Sequence, residues 1–184
     1  FDDKKVIAGQ ATLFLEIINQ FKNHLDYLFI PIGGGGLISG AINVFKQLSP
    51  KTKIIGIEPK GAPSMSKSIN KNKLITLNRI DGFVDGVAVK KVGNYSFDYC
   101  KEHLDDLIIL DENEICNSIL ELKSYENIIA EPAGAMSSAA LRHYRHKIIN
   151  KNIGCIICGA NNDNSRMPEI IKRADIWKSN NLKN

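Results

Sequence analysis

Tryptophan occurs once in the 184 residues, cysteine only four times, and no apolar run approaches the length of a membrane span. A spanning helix needs about 20 consecutive apolar residues, so no membrane partner is expected. A secretory leader would show a basic segment followed by an apolar one, and the N-terminus shows neither. The thiols of Cys100, Cys116, Cys155 and Cys158 are too few, and too apolar in setting, for a disulfide framework, which points to a reducing cytoplasm. Excess charge of one sign is scarce as well. Twenty-four basic residues against twenty acidic ones leave +4, with Lys and Asn scattered along the chain, which argues against a nucleic-acid surface. An opening methionine is also absent. The chain begins at Phe1, in what reads as a loop, so a piece of a longer polypeptide is expected.

What is present alternates. The apolar stretches "YLFIPI", "KIIGIEP", "DLIILD" and "IGCIICGAN" read as strands covered on both faces. Between them lie the helical patterns "VIAGQATLFLEIINQF", "GLISGAINVFKQLSP", "APSMSKSIN", "NYSFDYCKEHL", "ENEICNSILELKSYEN" and "AEPAGAMSSAALRHYRHK", with "RMPEIIKRADIW" last. Strands separated by helices of this length predict an α/β fold, a three-layer αβα arrangement around a mostly parallel sheet. At 43% hydrophobic residues the chain suffices for one core. Residues 1–177 are expected to form it, with 178–184 a polar tail or the start of a linker.

Four glycines in a row, Gly33, Gly34, Gly35 and Gly36, stand between the first strand and the helix after it. Ligands of open parallel sheets bind beyond the carboxyl ends of the strands. A helix N-terminus there offers free N–H groups and a partial positive charge. Glycines let several of those N–H groups converge on one anion, so the stretch predicts a phosphate cradle. It is neither Gly-x-Gly-x-x-Gly nor a Gly-Lys-Ser/Thr loop, which weakens dinucleotide and nucleoside-triphosphate readings.

In the order "GGGGLISG", "IIGIEPKGAPSM", "FVDGVAVKKVG", "AEPAGAMSSAAL" and "CGANND", with "FDDKKVIAGQ" ahead of them, the sequence resembles the threonine dehydratases. These are pyridoxal-phosphate enzymes of the tryptophan-synthase-β fold type, a group that includes serine dehydratase and serine racemase. The resemblance implies the larger, cofactor-side part of the catalytic domain. It implies deamination of threonine to 2-oxobutanoate and ammonia, the first step of isoleucine biosynthesis, by a cytoplasmic homo-oligomer. It further implies that Gly33, Gly34, Gly35, Gly36 and Leu37 hold the cofactor's phosphate and that Cys158 faces its pyridine nitrogen. Gly86 and Glu131 border the cofactor by the same resemblance. Cysteine at position 158 is a serine-dehydratase trait, whereas the motif spelling as a whole is that of threonine enzymes. Serine racemase-like relatives bind a cation at the position of Glu58, although the second acidic position is Pro63 or Ser64 here.

The family's Schiff-base lysine lies in a Ser-x-Lys-x-Arg segment, followed by a Ser-x-Gly-Asn loop, and neither occurs in this chain. No catalytic residue is therefore assigned within it, and the alternatives are a serine dehydratase or serine racemase-like enzyme, or a non-catalytic phosphate-binding relic. Cys155 and Cys158 form a Cys-x-x-Cys, but on a strand such residues face opposite sides, which argues against a metal or dithiol pair. His143 and His146, among Arg142, Arg145 and Lys147, suit the negative end of a helix.

Without the lysine, the 184-residue chain alone is expected to release no 2-oxo acid from threonine while keeping affinity for pyridoxal phosphate or inorganic phosphate. Equilibrium dialysis and a 2-oxo-acid assay test both halves. Turnover by this piece would assign the missing base to Lys4, Lys5, Lys90 or Lys91.

Overall fold

The computed structural model describes residues 1–181. Four strands form one parallel sheet: β1 (Tyr27–Pro31), β2 (Lys53–Pro59), β3 (Asp106–Leu110) and β4 (Ile153–Cys155), in spatial order β3-β2-β1-β4. Tyr27 is in register with Lys53 on one side and Ile153 on the other. Seven helices surround the sheet: α1 (Lys4–Gln20), α2 (Gly36–Leu48), α3 (Ser64–Asn70), α4 (Asn94–His103), α5 (Glu112–Tyr125), α6 (Pro132–Tyr144) and α7 (Met167–Asn181). Among the described residues no helix is long and apolar enough to cross a membrane.

Alternation along the strands sorts the core into two layers. Phe29, Ile55 and Ile57 point to one face and pack with α5, α6 and α7 through Ile115, Met136 and Ile170. Leu28, Ile30 and Ile54 point to the other and pack with α1, α2 and α4 through Phe14, Phe45 and Phe97. Burial on both faces accounts for the near-continuous apolar strands, as parallel sheets require. The three-layer αβα arrangement expected from the alternation is the one observed.

Two elements differ from the sequence expectation. The last strand is three residues long and ends at Cys155, so Cys158 stands in the segment beyond it. The final helix runs past Trp177 to Asn181, through residues assigned to the polar tail. Ion pairing at i,i+4 between Arg173 and Glu169 supports it, as does Arg142 stacked over Trp177. The rest of the expected tail lies outside the described residues.

The helix pair α1 and α2 shows how close the packing is. A Cβ on Gly40 of α2 would lie 2.8 Å from the Ala11 amide nitrogen of α1, whereas one on Gly9 of α1 meets nothing within 4 Å. The two substitutions should therefore have opposite signs. Gly40→Ala is expected to cost about 1–3 kcal/mol by overpacking, and Gly9→Ala to add up to about 1 kcal/mol from helix propensity. Chemical denaturation of both variants measures this; like signs would refute the close contact.

Candidate active site

The chain leaves β1 for α2 on one face of the sheet, and leaves β4 for α7 on the other. Diverging connections from neighbouring parallel strands open a crevice, the usual ligand position in this architecture. The crevice here is a cleft of about 490 Å³, and Gly33, Gly34, Gly35, Gly36, Leu37, Gly86, Glu131 and Cys158 all line it. Eight residues singled out from four separate motifs thus meet in one place. A larger groove of about 610 Å³ between α1, α2 and α4 is mainly apolar, with Lys4 its one charged lining residue.

One wall of the cleft is built from backbone. Gly35, with φ of 96°, takes the left-handed turn into α2 and caps the helix without any side-chain hydrogen bond. Among the described residues no acceptor takes the N–H groups of Gly33, Gly34, Gly35, Gly36 or Leu37. The loop is also closely packed from behind. A Cβ on Gly33 would lie 3.0 Å from the Val87 Cα, and one on Gly35 would lie 2.8 Å from the Ser96 Oγ. A Cβ on Gly34 would overlap the ring of Phe1. Five free donors at a positive helix end fit a phosphate, and among the described residues no lysine or arginine lines the cleft to share that task.

The opposite wall is the start of α6 against the segment after β4. Pro132 occupies the first turn of α6, where its missing N–H costs nothing. Glu131 donates its N–H to the Gly159 carbonyl at 3.1 Å and accepts from the Asn161 N–H at 3.1 Å. A Cβ on Gly134 would lie 2.9 Å from the Cys158 carbonyl oxygen, and one on Gly86 would lie 3.1 Å from the Glu131 Oε1. Cys158 is half-buried, and burial, then the Glu131 carboxylate, raises its thiol pKa above the ordinary value. The thiol therefore stays protonated and neutral at neutral pH. Cys155 is directed to the Ser137 carbonyl at 3.7 Å, with its own pKa pushed up to about 12 by burial, a core role.

Several contributors carried no readable sequence signal. Phe1 and Val87 line the cleft, and Gly159, at φ of 99°, turns beneath Glu131. The left-handed glycine after a strand was the available hint for Gly159; for Phe1, against a loop thirty-three residues away, there was none. His143 pairs with Glu114 of α5 at 3.0 Å, and His146 accepts from the Arg145 Nε at 3.0 Å, so neither faces the cleft.

A family model described as pyridoxal-phosphate dependent enzyme matches residues 1–159. Biosynthetic L-threonine dehydratase IlvA of Halalkalibacterium halodurans is 48% identical over 178 residues, which cover 97% of this chain and 43% of that protein. Its counterpart in Staphylococcus epidermidis is 49% identical over 182 residues, with the same coverage. The chain thus spans less than half the length of these curated relatives. Among solved structures, the processed form of threonine deaminase isoform 2 from Solanum lycopersicum superimposes with a TM-score of 0.91 at 41% identity, covering 96% of this chain and 49% of that one. Serine racemase from Dictyostelium discoideum gives 0.79 at 36% identity, covering 89% and 52%.

Glu58 takes no part in the cleft. It is fully buried at the end of β2, and its two oxygens accept the N–H groups of Met65 and Ser66 at 2.7 and 2.8 Å, capping α3. Among the described residues no group of three metal-ligating side chains gathers there or elsewhere. The cation position suggested by resemblance is thus a helix cap, because the second acidic residue is replaced and backbone donors take both oxygens. Burial, opposed by the N–H donors of Ser66 and Met65, raises the carboxyl pKa from 4.5 to about 7. The folded state then binds more protons than the unfolded one between those values, so this group's contribution to stability is full at the acid end and declines as pH rises through about 7. Replacement by Gln removes the titration. Wild-type stability should fall relative to Glu58→Gln across that window, by on the order of 3 kcal/mol at most. Thermal midpoints followed by circular dichroism measure it, and parallel curves would refute the assignment.

Proposed function

The chain belongs to the pyridoxal-phosphate dependent enzyme family, and from that membership we propose that it is the cofactor-holding part of an enzyme that deaminates L-threonine to 2-oxobutanoate and ammonia. The observation that carries the reading is the set of five acceptorless N–H groups, Gly33 to Leu37, at the divergence of β1 and β4. The relatives named biosynthetic threonine dehydratase, at 48% and 49% identity, support threonine over serine and a place at the start of isoleucine biosynthesis. Four free thiols accord with a cytoplasmic enzyme, and we expect it to act as a homo-oligomer.

When bound, pyridoxal phosphate supplies the electron sink that lets the substrate's α-proton depart as its β-hydroxyl leaves. Gly33 to Leu37 hold the phosphate by backbone hydrogen bonds, aided by the positive end of α2. Cys158, across the cleft, is the partner of the ring nitrogen. Its raised pKa keeps it uncharged, so it does not drive a proton onto that nitrogen as a carboxylate would. That arrangement suits rapid loss of a β-leaving group. Glu131, fixed by the Asn161 N–H, borders the ring and holds the Gly159 turn in place. Among the described residues no lysine lines the cleft, so the group that takes the α-proton comes from elsewhere in the enzyme.

The full polypeptide carrying this chain, loaded with pyridoxal phosphate, is expected to release 2-oxobutanoate from threonine with a higher kcat/KM than pyruvate from serine. Cys158→Ser should preserve that activity, since a hydroxyl is also a neutral partner. A serine preference would move the assignment to a serine ammonia-lyase. No 2-oxo acid from either substrate would favour the phosphate-binding relic.

A further inference from the structure

We infer that Asp2 is a positioning residue for the glycine loop, acting through the first turn of α4. Its carboxylate accepts the Asn94 N–H at 2.8 Å, the Asn94 side-chain amide at 3.0 Å and the Tyr95 N–H at 3.0 Å, across more than ninety residues of sequence. No side chain of α4's own neighbourhood in sequence caps that helix, whose N-cap is Gly93. Asp2 supplies the cap from a distance, and a Cβ on Gly93 would lie 2.8 Å from the Asp2 Cβ, so the approach is close.

The other side of the same turn touches the loop. The Gly93 N–H donates to the Gly34 carbonyl at 3.0 Å. A trans peptide is planar, with its C=O and following N–H opposed. Holding the Gly34 oxygen toward Gly93 therefore sends the Gly35 N–H away from α4. Glycine offers no steric resistance to rotation of that peptide, so the Gly93 bond sets an orientation that the loop's own residues leave free. Two further contacts reinforce it: Ser96, fully buried, packs its side chain against Gly35, and the Phe1 ring, one residue before Asp2, covers Gly34. Loss of the Asp2 carboxylate leaves the start of α4 uncapped and the Gly34–Gly35 peptide free to turn.

This inference rests on the reading of the loop as the phosphate cradle of pyridoxal phosphate. In the full polypeptide, stripped of cofactor and titrated with pyridoxal phosphate by calorimetry, Asp2→Ala is expected to bind about tenfold more weakly, the equilibrium effect of a lost helix cap. The ³¹P resonance of the bound phosphate should shift with it. Asp2→Asn keeps an acceptor oxygen and should restore both. Asp3→Ala removes the neighbouring cap, that of α1, where Asp3 accepts the Lys5 N–H at 2.7 Å; it should lower the thermal midpoint while leaving affinity and resonance unchanged. Should Asp2→Ala fail to fold, Asn94→Pro carries the test. Proline is accepted at a first helical position, and Gly93 is already extended at φ −67° and ψ 154°, as a residue before proline must be. Removing two of the three donors to Asp2, it should weaken cofactor binding in the same direction. Unchanged affinity and resonance in Asp2→Ala, or in Asn94→Pro, would overturn the positioning role. An unaltered protein that binds no pyridoxal phosphate would instead overturn the cradle itself.

Discussion

Everything functional in this chain depends on the divergence of two neighbouring connections. β1 and β4 lie side by side, and the chain leaves them toward opposite faces of the sheet. Had both gone the same way, α2 and the segment carrying Cys158 would have packed together and closed the space. Because they part, the free N–H groups of one connection and the thiol of the other face each other across a cleft. The flanking motifs then fill in its edges: the Gly86 turn and the start of α6 approach from the side of the sheet that holds Phe83, Val84 and Val87.

A second theme is the use of carboxylates as stitches between backbone segments, from seven residues apart at Glu58 to more than a hundred at Asp26. Asp2 caps α4 and Glu58 caps α3, as described. Glu112 accepts the Gly61 N–H at 2.6 Å, Asp105 accepts the Ile54 N–H at 2.9 Å, and Asp26 accepts the Asn152 N–H at 2.9 Å. Each acts at or beside the end of an element, where the sheet ladder and helix bonds run out. Hydrogen bonds to a charged acceptor are stronger than neutral ones, and they satisfy main-chain donors that would otherwise be lost at these junctions. Glu58 and Glu112 act at the carboxyl ends of β2 and β3, the edge of the sheet where the cleft lies, whereas Asp26 and Asp105 act at the opposite edge, where the strands begin.

The alternation of apolar runs with helical periods made the strand and helix order legible, because double-sided burial leaves an unbroken apolar signature in Phe29, Ile55 and their neighbours. The cleft residues were legible where the chemistry is local, as in the four glycines, or where motif resemblance carried them, as with Cys158 and Gly86. What could not be read was long-range pairing. "IGCIICGAN" looks like one strand, yet its ladder with β1 covers only Ile153, Gly154 and Cys155, with one further bond from the Ile156 N–H to the Phe29 carbonyl, and beyond that Cys158 and Gly159 line the cleft. Nothing in the apolar character of Ile156 and Ile157 reports where the neighbouring strand stops. Likewise Asp2 reads as one of two interchangeable acids ahead of a helix, and its partner on α4 is set by tertiary approach alone. Glu58 is opaque for a related reason: a carboxylate at a strand end looks the same whether a cation or, as here, two amides meet it.

The donors of the glycine loop belong to the main chain, and this shapes how the gene can fail. A site built from lysines or arginines is dismantled by any substitution that removes one of them. Here every residue but proline possesses the N–H that matters, so no side-chain deletion can take a donor away. Damage within the loop itself comes from proline or from added atoms: a Cβ against Val87, against the ring of Phe1 or against Ser96. Loss-of-function variation in the loop is accordingly expected as gain of bulk. The codons of Gly33, Gly34 and Gly35 become intolerant even of alanine, while the supports around the loop, Asp2 among them, can fail by loss as well as by growth.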